Sequence, residues 1–183
     1  MTIKRNLLFL VGSISLAVSP LSAHNGALAV AVPVGGITID GDLSDWPHDL
    51  ERHQILLPAY GEHPRNGEDL QPSFRLGYDD GTESLYIALE VQDESIVVLS
   101  EGGSWDNQDG CDIYLVWRHD DTRPVVRQYA VWGNTRTAST SLSTAIGTDE
   151  FQVAMGRWTG GHRYEWRVDL RAAGADVVAP GAV

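Results

Sequence analysis

Short runs of alternating apolar and polar residues, separated by turn-forming residues, make up most of this sequence and constrain its fold most strongly. Proline recurs at positions 47, 58, 64 and 72, which excludes an uninterrupted helix over that stretch. No segment after the N-terminus shows the period of about 3.6 residues that marks an amphipathic helix. The pattern predicts an all-β fold, a jelly-roll-like β-sandwich of antiparallel strands.

Alternation also predicts where the strands lie and which way their side chains point. We expect strands at residues 73–77, 85–93, 112–118, 125–132, 151–155 and 163–170. In the second of these, Leu85, Ile87, Leu89 and Val91 share one face, so that face is predicted to point into the core. In the third, Asp112 points away from the most apolar face, on the side that a ligand would reach.

The N-terminal residues have the features of a secretory signal peptide. Lys4 and Arg5 precede an apolar run over residues 7–18, which is too short to span a bilayer. Small residues allow cleavage after Ala23, with Ala29 as the alternative site. We therefore expect a signal peptide at 1–23, a tether at 24–35 and one folded domain at 36–183, in a secreted or periplasmic protein.

Charge and composition exclude several functions. The formal net charge of −12 argues against nucleic acid or an anionic membrane surface as a partner. Lys4 is the only lysine, so a mature chain would lack a Schiff-base lysine. Cys111 is the only cysteine, which excludes an intramolecular disulfide and predicts a buried, unreactive thiol.

Four sequence blocks, in order, resemble family 9 carbohydrate-binding modules, members of a DOMON-related β-sandwich superfamily. Residues 37–46 (ITIDGDLSDW) are similar to the family's opening motif, and residues 76–93 to its first long hairpin. Residues 105–115 (WDNQDGCDIYL) and 161–166 (GHRYEW) resemble two later strands. The resemblance implies a β-sandwich that binds sugars without cleaving them and is usually attached to another domain.

Two residues in these blocks match positions that bind sugar in the family. Trp105 corresponds to one half of an aromatic clamp on a terminal sugar, and Asp112 to a glutamate that binds hydroxyl groups. The chemistry suits the role, because sugars present flat C–H faces for an aromatic ring and hydroxyls for a carboxylate. The alternative is that Trp105 fills the core and Asp112 is a solvated charge at a strand end.

Three features depart from the family pattern. Ala130 stands where the family has a sugar-binding arginine, and Arg127 should face the opposite side of its strand. Trp132 shares a face with Gln128 and is a candidate replacement aromatic, with core packing as the alternative. The strand that provides the second clamp tryptophan should follow Leu170, so either the chain is a fragment of a longer protein or the fold ends early.

Metal and hydrolytic chemistry are less well supported. Residues 40–51 imitate part of a calcium loop, but Asp45 stands where that loop needs glycine, so a turn is favoured over calcium. Histidines such as His48, His53 and His162 are expected in loops or turns, without the spacing of metal ligands. No cofactor or metal is predicted, and the many acidic residues single out no catalytic pair.

These observations predict a non-catalytic carbohydrate-binding module, associated with polysaccharide degradation and with an oligo- or polysaccharide as ligand. The predicted site residues are Trp105, Asp112, Gln128 and Trp132. A fusion or association with a hydrolase fits this function. The alternative is a periplasmic sensor or interaction domain of a membrane signalling protein that has lost the sugar site.

Overall fold

A computed structural model describes residues 28–56, 64–67, 69–98, 103–116, 125–133, 135–140 and 145–174. Within these ranges the chain forms nine strands and two 3₁₀ turns, Leu43–Asp45 and Thr148–Glu150. The predicted all-β sandwich is therefore confirmed. No helix in the described ranges has the length and apolar character needed to cross a bilayer. The predicted signal peptide lies outside the described residues.

The larger of the two sheets has six strands in the order β1-β3-β4-β9-β8, with β2 paired to the outer part of β3. Its strands are β1 (Val32–Pro33), β2 (His53–Gln54), β3 (Gln71–Asp79), β4 (Ser84–Gln92), β8 (Phe151–Trp158) and β9 (Gly161–Asp169). All pairings are antiparallel except β1 with β3. Because β1 falls within residues 24–35, sheet pairing extends into the segment expected to be a tether.

The smaller sheet has three antiparallel strands: β5 (Gly110–Val116), β6 (Val126–Trp132) and β7 (Thr135–Thr140). It packs against the larger sheet through a shared apolar core. Buried members of this core come from both sheets and include Ile87, Val91, Cys111, Tyr129, Val131, Val153, Tyr164, Trp166 and Val168. The expectation that Cys111 is buried is confirmed, and burial raises the pKa of its thiol to about 12.

A third layer covers the outer face of the larger sheet. Leu43 and Trp46, from the segment before β2, pack on Tyr86 and Ala88 of β4 in a second buried cluster. Strand β4 is therefore covered on both faces, whereas its alternation predicts a single inward face. The reason is that small or aromatic residues on its outer side accept the segment that the resemblance identified at residues 37–46.

Glu165 connects this third layer to the sheet. Its side chain is 0% exposed, and its Oε1 accepts a hydrogen bond of 2.7 Å from the indole Nε1 of Trp46. Its Oε2 accepts from the backbone N–H groups of Asp40 and Gly41, at 3.0 and 2.9 Å. Burial raises the pKa of Glu165, and the three donated hydrogen bonds oppose that shift. The buried carboxylate thus fixes the turn and the tryptophan together.

Backbone contact between Gly41 and Gly156 brings this turn close to β8. A Cβ on Gly156 would lie 1.9 Å from the Gly41 carbonyl oxygen, and a Cβ on Gly41 would lie 2.6 Å from the Gly156 nitrogen. Gly41 also has a φ of 86°, a conformation that favours glycine. A side chain at either position would therefore separate the turn from the sheet.

All six predicted strands are present, with boundaries shifted by a few residues; residues 117–118 of the third lie outside the described ranges. Strands β1, β2 and β7 were not predicted. The first two have two residues each, too few to show a period. Strand β7 is mostly polar, because Ala138 is its one residue in the buried core.

Candidate functional site

A cleft of about 290 Å³ lies on the outer face of the three-stranded sheet. Alternation along β5 and β6 sends Cys111 and Tyr129 into the core, and their neighbours Asp112 and Gln128 to this outer face. The described residues that line the cleft are Trp105, Asp112, Tyr114, Gln128, Ala130, Trp132, Thr137, Ala138 and Ser139. All four predicted site residues therefore line the same cleft. Their spacing in the sequence alone did not imply that they would meet.

Strand register explains why these side chains meet. Asp112 of β5 lies directly opposite Ala130 of β6, and Tyr114 lies opposite Gln128. On the other side of β6, Ala130 lies opposite Thr137 of β7. Directly opposed residues of an antiparallel pair project on the same face at close range. Ala130, 2% exposed, forms the floor at the centre of the cleft, where the resembled family has an arginine.

A hydrogen-bonded polar group, made of Asp112, Tyr114 and Gln128, lies beside that floor. The Gln128 Nε2 donates to Asp112 Oδ2 and to the Tyr114 hydroxyl, both at 3.0 Å. The Tyr114 hydroxyl donates to Asp112 Oδ2 at 3.3 Å. Partial burial and the nearby charge of Asp112 raise the pKa of Tyr114, so its phenol stays protonated. The group therefore presents a carboxylate whose orientation is fixed by two neighbours.

Trp105 lies in the turn that precedes β5 and is 66% exposed. The alternative in which this ring fills the core is therefore wrong. Trp132, at the end of β6, is half-buried and lines the same cleft, so it is not a core residue either. The described side chains provide two indoles at the cleft, with the ring of Trp105 far more accessible.

Arg127 confirms the predicted orientation of β6. Its guanidinium faces away from the cleft, and its Nη1 donates to both carboxylate oxygens of Glu150, at 2.7 and 2.9 Å. Arg127 therefore cannot take the place of the arginine that the resembled family has at the position of Ala130. Among the described residues that line the cleft, Asp112 is the only charged side chain. The cleft thus offers one carboxylate, amide and hydroxyl groups, and aromatic surface.

Three residues of the cleft were missed by sequence reasoning. Tyr114 is two residues after Asp112, so alternation alone places it on the same face. Thr137 and Ser139 belong to β7, which was not predicted; their signal was the alternation of small polar residues around Ala138. Each adds a hydroxyl group within the cleft.

A second, larger cleft of about 460 Å³ adjoins the first, and Trp105, Asp112 and Trp132 line both. It is also lined by Asp93, Asp109 and His162. The placement of His162 in a turn was wrong: it is the second residue of β9 and is 3% exposed. The placement of His53 in a loop was also wrong, because it is the first residue of β2. One potential ligand atom from each of these three side chains lies within 4.8 Å of the other two.

The other sequence expectations have clear outcomes where they fall on described residues. Trp117, Trp158 and Trp166 occupy strand positions in the sequence, which favours the core over an exposed binding surface. Trp166 is fully buried, which confirms it as a core residue. Trp158 is half-buried, with the Arg163 guanidinium 5.2 Å from its ring centroid. Trp117 lies outside the described residues. The turn expected around residues 40–51 is confirmed, since Asp42 caps the 3₁₀ turn by accepting from the Ser44 N–H.

Comparison of folds assigns the sandwich to a known class. Two solved structures of family 9 carbohydrate-binding modules from Caldicellulosiruptor kristjanssonii are similar to this chain. The one in complex with glucose has a TM-score of 0.56 and 23% identity, covering 77% of this chain and 68% of its own. The one in complex with cellotriose has a TM-score of 0.52 and 20% identity, covering 77% and 67%.

The resemblance noted in the sequence is therefore confirmed at the level of the fold: the chain has the fold of family 9 carbohydrate-binding modules. Neither a protein-family model nor a curated protein matches the sequence. Fold similarity at this identity does not specify a ligand, so function has to be argued from the cleft.

Proposed function

We propose that this protein is a non-catalytic carbohydrate-binding module that binds an oligo- or polysaccharide in the cleft of the three-stranded sheet. The observation that carries the proposal is that the exposed ring of Trp105 and the carboxylate of Asp112 line one cleft. A large exposed indole is costly to leave in water, and a planar apolar surface at a cleft is typical of a binding site.

The cleft matches the two chemical surfaces of a pyranose. The Trp105 ring would stack on the C–H face, while Asp112 accepts hydrogen bonds from ring hydroxyls. Gln128 contributes both an amide donor and a carbonyl acceptor, so it can donate a hydrogen bond to a sugar hydroxyl or accept one from it. Because Gln128 and Tyr114 already orient the carboxylate, little side-chain freedom would be lost on binding.

The comparisons support a neutral glucose-containing ligand. The two similar modules were solved with glucose and with cellotriose. We infer an affinity on the order of tens of micromolar to millimolar, since one exposed indole and one carboxylate contribute limited free energy. We also propose that the protein is exported and acts beside a polysaccharide-degrading enzyme, as its N-terminal sequence and fold suggest.

Calorimetry with glucose, cellotriose and soluble plant polysaccharides tests this function. Trp105→Ala should weaken binding by about ten- to a hundredfold, since a stacked aromatic anchor contributes roughly 1–3 kcal/mol. Asp112→Ala should cost about as much, because a charge-assisted hydrogen bond contributes roughly 1.5–3 kcal/mol. Asp149→Ala, an exposed carboxylate outside the cleft, is the matched control and should bind normally.

Two results would contradict the proposal. If the wild-type protein binds none of these sugars at millimolar concentration, the alternative of a sensor or interaction domain is favoured. If sugar binds but folded Trp105→Ala keeps full affinity, the site is elsewhere, and Trp132 becomes the next candidate for substitution.

A further inference from the structure

Asp93, Asp109 and His162 converge at one end of the sandwich from three separate parts of the chain. Asp93 follows β4 and its N–H donates to the Gly160 carbonyl at 3.1 Å, next to the start of β9. Asp109 precedes β5 and exchanges two hydrogen bonds with Val97, as backbone donor at 2.7 Å and as carboxylate acceptor at 2.6 Å. These backbone contacts hold both carboxylates close to His162.

His162 gives a second, independent indication of a ligand. Its side chain is 3% exposed, and its Nδ1 is buried without a hydrogen-bond partner among the described residues. An unsatisfied buried polar group costs roughly 1–3 kcal/mol, so such a group in a folded protein requires an explanation. An ion bound by Nδ1 of the imidazole and by the two carboxylates would remove this cost.

We propose that Asp93, Asp109 and His162 bind one zinc ion. One nitrogen and two carboxylate oxygens are ligands that zinc accepts, at distances of about 2.0–2.2 Å. The three ligand atoms already lie within 4.8 Å of one another, so small side-chain rotations would bring them into contact with the ion. The cleft of about 460 Å³ next to them leaves room for water as a fourth ligand.

Calcium fits the same residues less well. It takes about six to eight oxygen ligands, and three protein groups including an imidazole supply too few. Zinc with two carboxylates would leave the site electrically neutral, whereas the empty site places two negative charges beside each other. The choice between the two ions therefore follows from the nitrogen ligand and the small number of oxygens.

This ion would connect the two sheets and fix the ends of the segment that carries Trp105. Asp93 belongs to the end of the larger sheet and Asp109 to the start of the smaller one, with Trp105 between them in the chain. Zinc would therefore limit the movement of Trp105 and strengthen sugar binding. That consequence rests on the proposed function, whereas zinc binding itself is measured without any sugar.

Titration of chelator-treated full-length protein with zinc chloride, followed by calorimetry, tests the site. We expect one zinc ion per chain, and at least about tenfold weaker binding by Asp93→Asn and Asp109→Asn. Asp106→Asn is the control, because it removes a carboxylate from the same segment. The Asp106 carboxylate accepts a hydrogen bond from the Ser104 hydroxyl, and the variant should bind zinc like the wild type. Replacement of zinc by cobalt(II) should give visible absorption bands that His162→Gln abolishes.

Folding of each variant is checked by far-ultraviolet circular dichroism. If His162→Gln does not fold, Asp93→Asn decides the question, because asparagine keeps the oxygen that accepts from the Ser95 N–H. The proposal is overturned if the wild type binds no zinc, if Asp93→Asn and Asp109→Asn bind it as tightly as the wild type, or if equimolar calcium displaces it. Loss of sugar binding with normal zinc binding would count against the proposed function alone.

Discussion

Among the described residues, two tryptophan–carboxylate pairs lie on opposite outer faces of the sandwich. Trp46 and Glu165 are 1% and 0% exposed, and their hydrogen bond of 2.7 Å is accompanied by two backbone donors to the same carboxylate. Trp105 and Asp112 lie in an open cleft, and Trp105 is 66% exposed. The same two side-chain types are thus fully satisfied at one face and left accessible at the other.

The difference shows why motif resemblance alone does not locate a binding site. Both tryptophans belong to sequence blocks that resemble family 9 modules, yet only one has a free aromatic face. A buried indole with its N–H bonded contributes packing and order, whereas an exposed one contributes surface for a ligand. Accessibility and hydrogen-bond satisfaction, rather than residue type, separate the structural pair from the candidate binding pair.

Removal of the buried carboxylate should have the largest effect on stability. Glu165→Ala leaves two buried donors and one partly buried donor without an acceptor, and each unsatisfied buried donor costs roughly 1–3 kcal/mol. We expect the free energy of unfolding to fall by at least about 3 kcal/mol in urea denaturation. Asp112→Ala is the matched control and should change stability by less than about 0.5 kcal/mol, since this carboxylate is exposed. Equal losses in the two variants would contradict the comparison.

The second largest loss of stability is expected when a methyl group is added at Gly156. Its Cβ would lie 1.9 Å from the Gly41 carbonyl oxygen, so the turn that fixes Trp46 and Glu165 must move. Gly156→Ala should therefore destabilise the protein by about 1–3 kcal/mol or more, measured by thermal unfolding. Gly147→Ala is the control, because nothing lies within 4 Å of its added Cβ. A Gly156→Ala variant as stable as the wild type would show that the close approach is not required.

A smaller effect, on sugar affinity, is expected when the Tyr114 hydroxyl group that supports Asp112 is removed. Tyr114→Phe deletes the donor to Asp112 Oδ2 and the acceptor for Gln128 Nε2, but leaves the carboxylate in place. Sugar affinity should fall by about fivefold, consistent with a net hydrogen-bond contribution of about 1 kcal/mol. Calorimetry measures it, and stability should stay unchanged. A loss as large as that of Asp112→Ala would mean that Tyr114 itself contacts the ligand.

The smallest effect concerns pH. Burial raises the pKa of Glu165, so its carboxylate ionises less readily in the folded than in the unfolded chain. The part of the free energy of unfolding that comes from this pKa difference is therefore fully present below the ordinary glutamate range and is lost as the pH rises through the raised pKa. The stability difference between wild type and Glu165→Gln should shrink over that interval. A difference that grows with pH would indicate a lowered pKa instead.

Strand positions were predictable because burial on one side forces alternation, and turn residues mark where each run ends. The same alternation predicted correctly that Asp112 points away from the core and Arg127 away from Gln128. It failed for the outer side of β4, where Tyr86 and Ala88 are buried by a third layer. Such a layer comes from a distant segment, and a local period contains no information about it.

The two candidate sites differ in how much of each could be predicted from the sequence. Trp105 precedes its strand, so no period fixed its exposure, and the core alternative stayed open until the structure removed it. The convergence of Asp93, Asp109 and His162 was invisible, since these residues belong to different strand ends that only the three-dimensional arrangement brings together. Spacing rules detect metal ligands on one helix or loop, and they miss ligands assembled by topology.

The contact between Gly41 and Gly156 has a consequence for how this fold diversifies. Since each glycine leaves no room for a side chain on the other, neither can mutate alone without separating the turn from β8. Descendants of this sequence are expected to keep both glycines while the open face of β5, β6 and β7 exchanges side chains freely. Side chains can therefore change on one side of the sandwich while the opposite side keeps its backbone arrangement.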